Sequence, residues 1–361
     1  MTWHGDNNAG TLAGAWVRKI TSCAVAIAAA LSLSTVTAGA QENWDEVLAG
    51  AKKEGKVVLY SNLQPNGVEA LLQKFREDHP DIATEQIRLG APPMLERFVA
   101  EYNSGRHIVD VMITYPDERL LKGIDEEDWA MTWTPPELKN FAPEHSRKNQ
   151  LFTLQQAREA IIWNKNLVTD DEAPKEWTDL FDPKWKGKIG FNPPWRALAI
   201  QQIIAYWEDE LKLGDTAAKL KAQDVRFFEG SGGIIQAVVR GDVAVAELTD
   251  IPLHPLLEDG APVGFIYPKS GTTVTNGVGF VAAKAPHPNA AKVFLNWLMT
   301  EKGQEQLLTF GGLSVTRTGA KSLEHLPATT ELPKVVDGLS LIDSERQAKI
   351  VNHYRTTFGV R

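Results

Sequence analysis

Three short segments combine turn residues, small residues and a polar or charged side chain just ahead of an apolar, helically spaced run. Ser61 and Asn62 open a polar stretch that ends at Gly67, before such a run at Val68. Gly230, Ser231, Gly232 and Gly233 precede a second at Ile234, and Asn192, Pro193, Pro194, Trp195 and Arg196 precede a third. Where a helix begins, its first backbone N–H groups lack intrahelical partners and its dipole favours a negative group. Glycine lets those amides approach a bound oxygen closely, and Ser231 is equally suited to cap the helix. Asn62 is equally suited to organise a turn. Arg196 carries the fork that grips a carboxylate or phosphate, or else forms a surface ion pair. Trp195 offers a flat wall to a ligand or a large side chain to a core. The chemistry these groups predict is capture of a small molecule without turnover.

Further candidates stand beside apolar runs. Tyr115 follows the run at residues 109–113, and Glu247, Thr249 and Asp250 belong to the end of the run that starts at Val243. In sheets of parallel strands the carboxyl ends carry the ligand-binding loops. Arg158 lies where the chain passes from a first body to a second, and Asn276 where it returns. At such a place Arg158 either reaches a ligand or forms a salt bridge. Catalytic spacing is missing: there is no G-x-S-x-G, no H-E-x-x-H and no phosphate loop, and the 8 histidines are scattered. No catalytic residue, metal ligand or cofactor is expected.

Alternating strand and helix patterns must position these side chains. Trp44, Val47, Leu48 and Ala51 predict a helix closed by Gly55, residues 57–60 a buried strand, and Val68, Leu71, Leu72 and Phe75 an amphipathic helix. A strand over 82–89, a helix through Leu95, Phe98, Val99 and Tyr102 and a strand over 109–113 repeat the unit. A second body begins near Phe152, with strands expected at 160–163, 189–191, 225–228 and 243–247. Its helices are expected at 177–181, 195–210 and 234–239. A return connection over 271–276, a strand over 277–282 and a long helix over 290–308 follow. The alternation predicts an α/β fold with mostly parallel sheets.

The 361 residues are 43% hydrophobic and 23% charged, with a net charge of −8 and no basic run. That is globular composition, and it argues against nucleic acid and anionic lipid surfaces as partners. Arg18 and Lys19, an Ala-rich apolar run over 23–36 and then Ala38-Gly39-Ala40 form the three regions of a secretory signal, residues 1–40, cleaved after Ala40. The apolar run is too short to span a bilayer, which needs about 20 residues. Cys23, the only cysteine, would leave with this segment, so the mature chain is expected to hold no thiol or disulfide.

Residues 174–189 read Pro174-Lys175-Glu176-Trp177-Thr178-Asp179-Leu180-Phe181-Asp182-Pro183-Lys184-Trp185-Lys186-Gly187-Lys188-Ile189. This resembles the P-x-T-W-x-D-L-x-D-P-x-W-K-G-K-I stretch of the periplasmic solute-binding proteins that include ferric-ion, thiamine, polyamine and phosphonate receptors. Trp163-Asn164-Lys165-Asn166-Leu167-Val168 is similar to their Y-N-K-x-L-V, and Pro288-Asn289-Ala290-Ala291-Lys292-Val293-Phe294-Leu295-Asn296-Trp297-Leu298 to their closing helix. The resemblance implies a two-lobed type II periplasmic binding protein fold, each lobe a mixed, mostly parallel sheet flanked by helices, with two crossing strands as hinge. Residues 41–152 with 272–361 would form one lobe and 153–271 the other. It also implies a periplasmic monomer that takes a small-molecule ligand into the cleft and delivers it to an inner-membrane ABC permease with its ATPase.

One block departs from the ferric receptors, which place two tyrosines after a stretch like G-E-V-A-V-G-L-x-N-H-Y-Y. Here the block reads Gly241-Asp242-Val243-Ala244-Val245-Ala246-Glu247-Leu248-Thr249-Asp250-Ile251-Pro252. Phenolates are hard, charged oxygens that suit Fe(III), whereas isoleucine and proline offer no side-chain ligand. The expected ligand is therefore a small organic anion or zwitterion of carboxylate or phosphonate type. A ferric ion or iron chelate is the alternative ligand, and an exported sensor or an enzyme are the other function classes.

Overall fold

The structure is a computed structural model that describes residues 42–63, 65–311 and 314–360. The signal segment read at residues 1–40, Cys23 included, lies outside the described residues. In chain order come α1 (Trp44–Glu54), β1 (Lys56–Ser61), α2 (Pro65–Asp78), β2 (Ala83–Arg88), α3 (Ala91–Asn103), β3 (Val111–Thr114), α4 (Glu118–Glu126), β4 (Ser146–Arg147) and the long β5 (Leu151–Asn164). Next are β6 (Ile189–Phe191), α5 (Leu198–Ala205), α6 (Thr216–Ala222), β7 (Arg226–Phe227), α7 (Gly230–Arg240), β8 (Val245–Thr249), α8 (Leu253–Glu258) and β9 (Val263–Ile266). The chain returns through β10 (Thr272–Val281), α9 (Pro288–Met299), α10 (Glu301–Gly311), β11 (Ser314–Val315), β12 (Val335–Asp337) and α11 (Ser344–Phe358).

The two longest strands make the hinge. β5 and β10 pair antiparallel from Phe152 opposite Gly279 to Arg158 opposite Val274. On the first-lobe side the strand order is β2-β1-β3-β10-β5, with β2, β1 and β3 mutually parallel and β10 antiparallel to β3. On the second-lobe side β5 pairs with β8 and β9, and β6 and β7 extend the sheet in parallel beyond β8.

Helices cover both faces of each half, which is why β1 and β3 are apolar without alternation. In the first lobe α1, α2, α9 and α10 bury Val47, Phe75, Phe294 and Leu307 on one face, and α3 and α4 bury Phe98 and Leu120 on the other. In the second lobe α5, α6 and α11 cover one face and α7 and α8 the other.

Several boundaries differ from the sequence expectation for definable reasons. Both hinge strands extend well beyond the expected spans, because polar residues such as Gln155 and Arg158 are buried by strand pairing and break no ladder. β8 starts two residues later than expected, so Glu247 lies within a strand and Thr249 ends it. The expected long helix over 290–308 is two helices. Thr300 is extended (ψ 163°), and its hydroxyl donates to the Trp297 carbonyl and accepts from the Gly303 N–H. The expected helix over 195–210 is α-helical only in α5 and then widens to π-helical turns over Tyr206–Glu210.

The C-terminal segment, expected with the first lobe, also packs on the second. Ile342, Ile350 and Tyr354 belong to the second lobe's core, and the Tyr354 hydroxyl lies 2.7 Å from that of Thr216. The apolar positions of α11 give a helix face but no information about which lobe receives it. No helix among the described residues is long and apolar enough to cross a membrane.

Candidate ligand-binding site

The carboxyl ends of β3 and β8 meet at the hinge from opposite lobes. Thr114 stands opposite Val278 on β10, and Thr249 opposite Glu159 on β5. Residues directly opposite in a ladder share a face, and every second residue along a strand returns to it. Ser61 pairs with Ile113, Ile113 with Gly279, and Gly277, beyond a bulge in the β5–β10 ladder, with Gln155, whose side chain lies over it. Gln155, Ala157 and Glu159 then alternate down β5, and Glu159 pairs with Thr249, two residues from Glu247.

One face therefore runs across the hinge and carries Ser61, Gln155, Glu159, Glu247 and Thr249. Ser61, Gln155, Glu159 and Glu247 are buried to 1% exposure or less. The hydroxyls of Ser61 and Thr249, the amide oxygen of Gln155 and all four carboxyl oxygens of Glu159 and Glu247 are buried without a hydrogen-bond partner among the described residues, the contact between the two carboxyls aside. Buried polar atoms are normally paired, so this concentration on one strip marks a place built to meet something else.

The two glutamates face each other on this strip. Burial, followed by the charge of Glu159, raises Glu247 well above the ordinary carboxylate range. Burial also pushes Glu159 up to about 7, with Asp250 adding to the rise and contact with Glu247 opposing it. Two carboxyls in this setting share a proton at neutral pH rather than both ionise. Tyr115, half-buried at the end of β3, lies close to Asp250 and Glu159; burial, then those charges, keeps its hydroxyl un-ionised.

Arg158 and Asp250 occupy the opposite face, so neither meets the strip. The Arg158 Nε donates to Asp250 Oδ2 at 2.5 Å, the Arg158 backbone N–H to Oδ1 at 3.0 Å, and the Tyr267 hydroxyl to Oδ2 at 2.7 Å. A further guanidinium N–H donates to the Pro327 carbonyl. Of the two roles open to Arg158, the salt bridge at the hinge is formed, and the residue also lines a cavity of about 220 Å³ with Gln156, Ser314 and Thr316. Asp250, expected to reach ligand, is occupied by that bridge.

The other candidates divide. Asn62 is half-buried after β1, its N–H donating to the Ile113 carbonyl at 3.4 Å. Asn276 accepts from the Gln156 amide at 2.9 Å and lines a cavity of about 160 Å³ with Thr153, Gln202, Thr275 and Asp337. Trp195 packs against Phe227, ring centroids 5.0 Å apart, at the edge of the second core. This favours the core role over a ligand wall. Arg196 is 60% exposed and pairs with Glu229 at 2.7 Å. Glu229 precedes α7, where Gly230 (φ +73°) opens the helix; Ser231 is half-buried, Gly232 exposed, and a Cβ at Gly230 or Gly232 would meet nothing within 4 Å. The tip of α7 is thus open, with an arginine–glutamate pair beside it.

Glu159 and Gln155 are the residues that sequence reasoning passed over. Their segment mixes Thr153, Gln155, Gln156, Arg158 and Glu159 with apolar residues, so no period-two pattern marked either one. Ile251, from the second lobe, packs against the core of the first, in the place where the quoted ferric-receptor block has a tyrosine.

Comparison with known proteins agrees with this architecture. Residues 70–334 match the family described as bacterial extracellular solute-binding protein. An Fe(3+)-binding periplasmic protein of Serratia marcescens is 22% identical over 282 residues, 72% of this chain and 78% of that protein. A periplasmic protein of Salmonella typhi named for 2-aminoethylphosphonate binding is 22% identical over 256 residues, 68% of this chain and 66% of that protein. The crystal structure of iron-bound HitA from Pseudomonas aeruginosa superposes with a TM-score of 0.70 at 20% identity, covering 84% of this chain and 99% of that one. The fold is that of the periplasmic binding proteins.

Proposed function

Since this chain belongs to the bacterial extracellular solute-binding proteins, we propose that it captures a small organic anion or zwitterion between its lobes. Proteins of this kind bind a solute and hand it to an ABC permease; they do not transform it. The signal segment read at residues 1–40 is consistent with work in the periplasm, where the relatives named above reside.

The observation that carries the choice of ligand is at Ile251. Its side chain packs on the first lobe's core, so the position offers apolar closure and no oxygen donor. The open tip of α7, with Arg196 at its side, supplies backbone N–H groups and a cation suited to a carboxylate or phosphonate. The relative named for 2-aminoethylphosphonate binding fits a ligand of this type better than the iron-binding relative does.

A thermal-shift screen of the purified protein tests the reading, using short carboxylates, phosphonates, amino acids, polyamines, sugar phosphates and ferric citrate. A bound compound at 100 times its dissociation constant stabilises the fold by roughly 2.7 kcal/mol. An organic anion or zwitterion is expected to raise the melting temperature. A shift with Fe(III) alone, accompanied by a visible charge-transfer band, would overturn the reading.

A further inference from the structure

We infer that the strip carrying Glu159, Glu247 and Thr249 is a subsite for the ammonium group of the ligand. This rests on the organic-ligand reading above and narrows it to amine-bearing molecules.

The argument begins with donors and acceptors. The two glutamates bring four buried carboxyl oxygens and no N–H donor to the strip, and among the described residues the carboxyls have no hydrogen-bond partner but each other. The strip's other side chains, Ser61, Gln155 and Thr249, are neutral, and so is the nearby Tyr115. The cation next in sequence, Arg158, projects from the opposite face and is held by Asp250 and the Pro327 carbonyl. Desolvated carboxyls without a partner are costly. A shared proton relieves one charge but leaves at least two oxygens without a donor. An ammonium group brings a positive charge and three N–H donors, enough to serve both carboxyls and a hydroxyl at once.

Position strengthens the case. Glu159 lies on a hinge strand, Glu247 and Thr249 on β8 of the second lobe, and Tyr115 at a strand end of the first. The unpartnered Ser61 hydroxyl continues the strip into the first lobe. An amine held here touches groups from both lobes, so its binding favours closure. When it binds, the proton shared by the carboxyls leaves to buffer, and N–H···O bonds to both carboxylates replace it.

The test is titration calorimetry of the purified full chain with matched probes: 2-aminoethylphosphonate against ethylphosphonate, and β-alanine against propionate. In at least one pair the amine is expected to bind roughly tenfold or more tighter than its partner. Titration in two buffers of different ionisation enthalpy should show proton release with the amine only. Glu247→Gln and, independently, Glu159→Gln are expected to weaken the amine roughly tenfold and to shrink its advantage over the des-amino compound. Equal affinity within every pair that binds, or an amine preference that survives both substitutions, would overturn the ammonium subsite while leaving the organic-anion reading intact. Failure of every probe to bind would overturn both.

Discussion

The Arg158 guanidinium and the Asp250 carboxylate meet at 2.5 Å with both side chains only 1% exposed, at the point where β5 passes from one lobe to the other. Asp250 also accepts from the Arg158 backbone N–H, so a single carboxylate fixes the strand and its side chain together. Removing one partner of such a pair strands a charge in a desolvated site. Arg158→Met should destabilise the protein by about 3–5 kcal/mol, read from urea unfolding. Adding Asp250→Asn should recover much of that loss. A single variant that unfolds like the native protein would show that the pair does not hold the hinge.

The buried glutamates make stability depend on pH in a predictable direction. Glu159 has an ordinary value of 4.5 and is raised to about 7 in the folded chain, and Glu247 is raised as well. Between these values the folded state keeps a proton that the unfolded chain has lost, so unfolding free energy falls as pH rises. The stabilising contribution is complete below about pH 4.5 and is lost as pH passes through 7. The neighbours do not cancel this trend: Asp250 is paired with Arg158, and Tyr115 stays neutral. Urea unfolding across this range should give a falling curve for the native protein and a flatter one for the Glu159→Gln/Glu247→Gln double variant. Parallel curves would remove the pair as the source.

How far this was legible in the sequence depends on what each residue type can signal. The apolar runs at residues 57–60 and 109–113 announced the parallel strands of the first lobe, and glycines such as Gly55 and Gly241 announced helix ends; both close helices with left-handed backbone. The hinge was harder, because β5 mixes glutamine, arginine and glutamate with apolar residues in a strand buried throughout. Local pattern cannot separate a polar residue paired across a ladder from one in solvent. The helix start beside Ser231 was legible because turn chemistry is local. Glu159 was not, because its meaning arises only when β8 brings Glu247 to the same face. The docking of α11 on the second lobe is likewise a long-range fact.

Ile251 bridges the two lobes by packing on the first lobe's core. It is half-buried and belongs to the second lobe. Burying such a side chain is worth about 1.5–3 kcal/mol. Ile251→Ala should shift the unliganded protein toward the open form by a large part of that amount. X-ray scattering should then report a larger radius of gyration without ligand and a return to the native value when ligand is saturating. An unchanged radius would mean that Ile251 contributes nothing to the contact between lobes.

An acidic ligand group at the tip of α7, as proposed, would compete with Glu229 for Arg196. Their ion pair spans 2.7 Å, but the side chains are 60% and 74% exposed, so solvent screens it and it contributes little to folding. The arginine can therefore turn from Glu229 to a ligand's acidic group with little loss. Arg196→Ala should leave the melting temperature unchanged and weaken an anionic ligand roughly tenfold. Glu229→Gln should do the opposite, because it frees the arginine and removes a negative charge from the helix N-terminus, where the dipole favours an anion. Affinity is thus expected to rise for Glu229→Gln and fall for Arg196→Ala. The arginine's effect should shrink at high salt, since both sites lie in solvent reach. Matching affinities for the two variants, measured by calorimetry on the same phosphonate, would place the acidic end of the ligand elsewhere in the cleft.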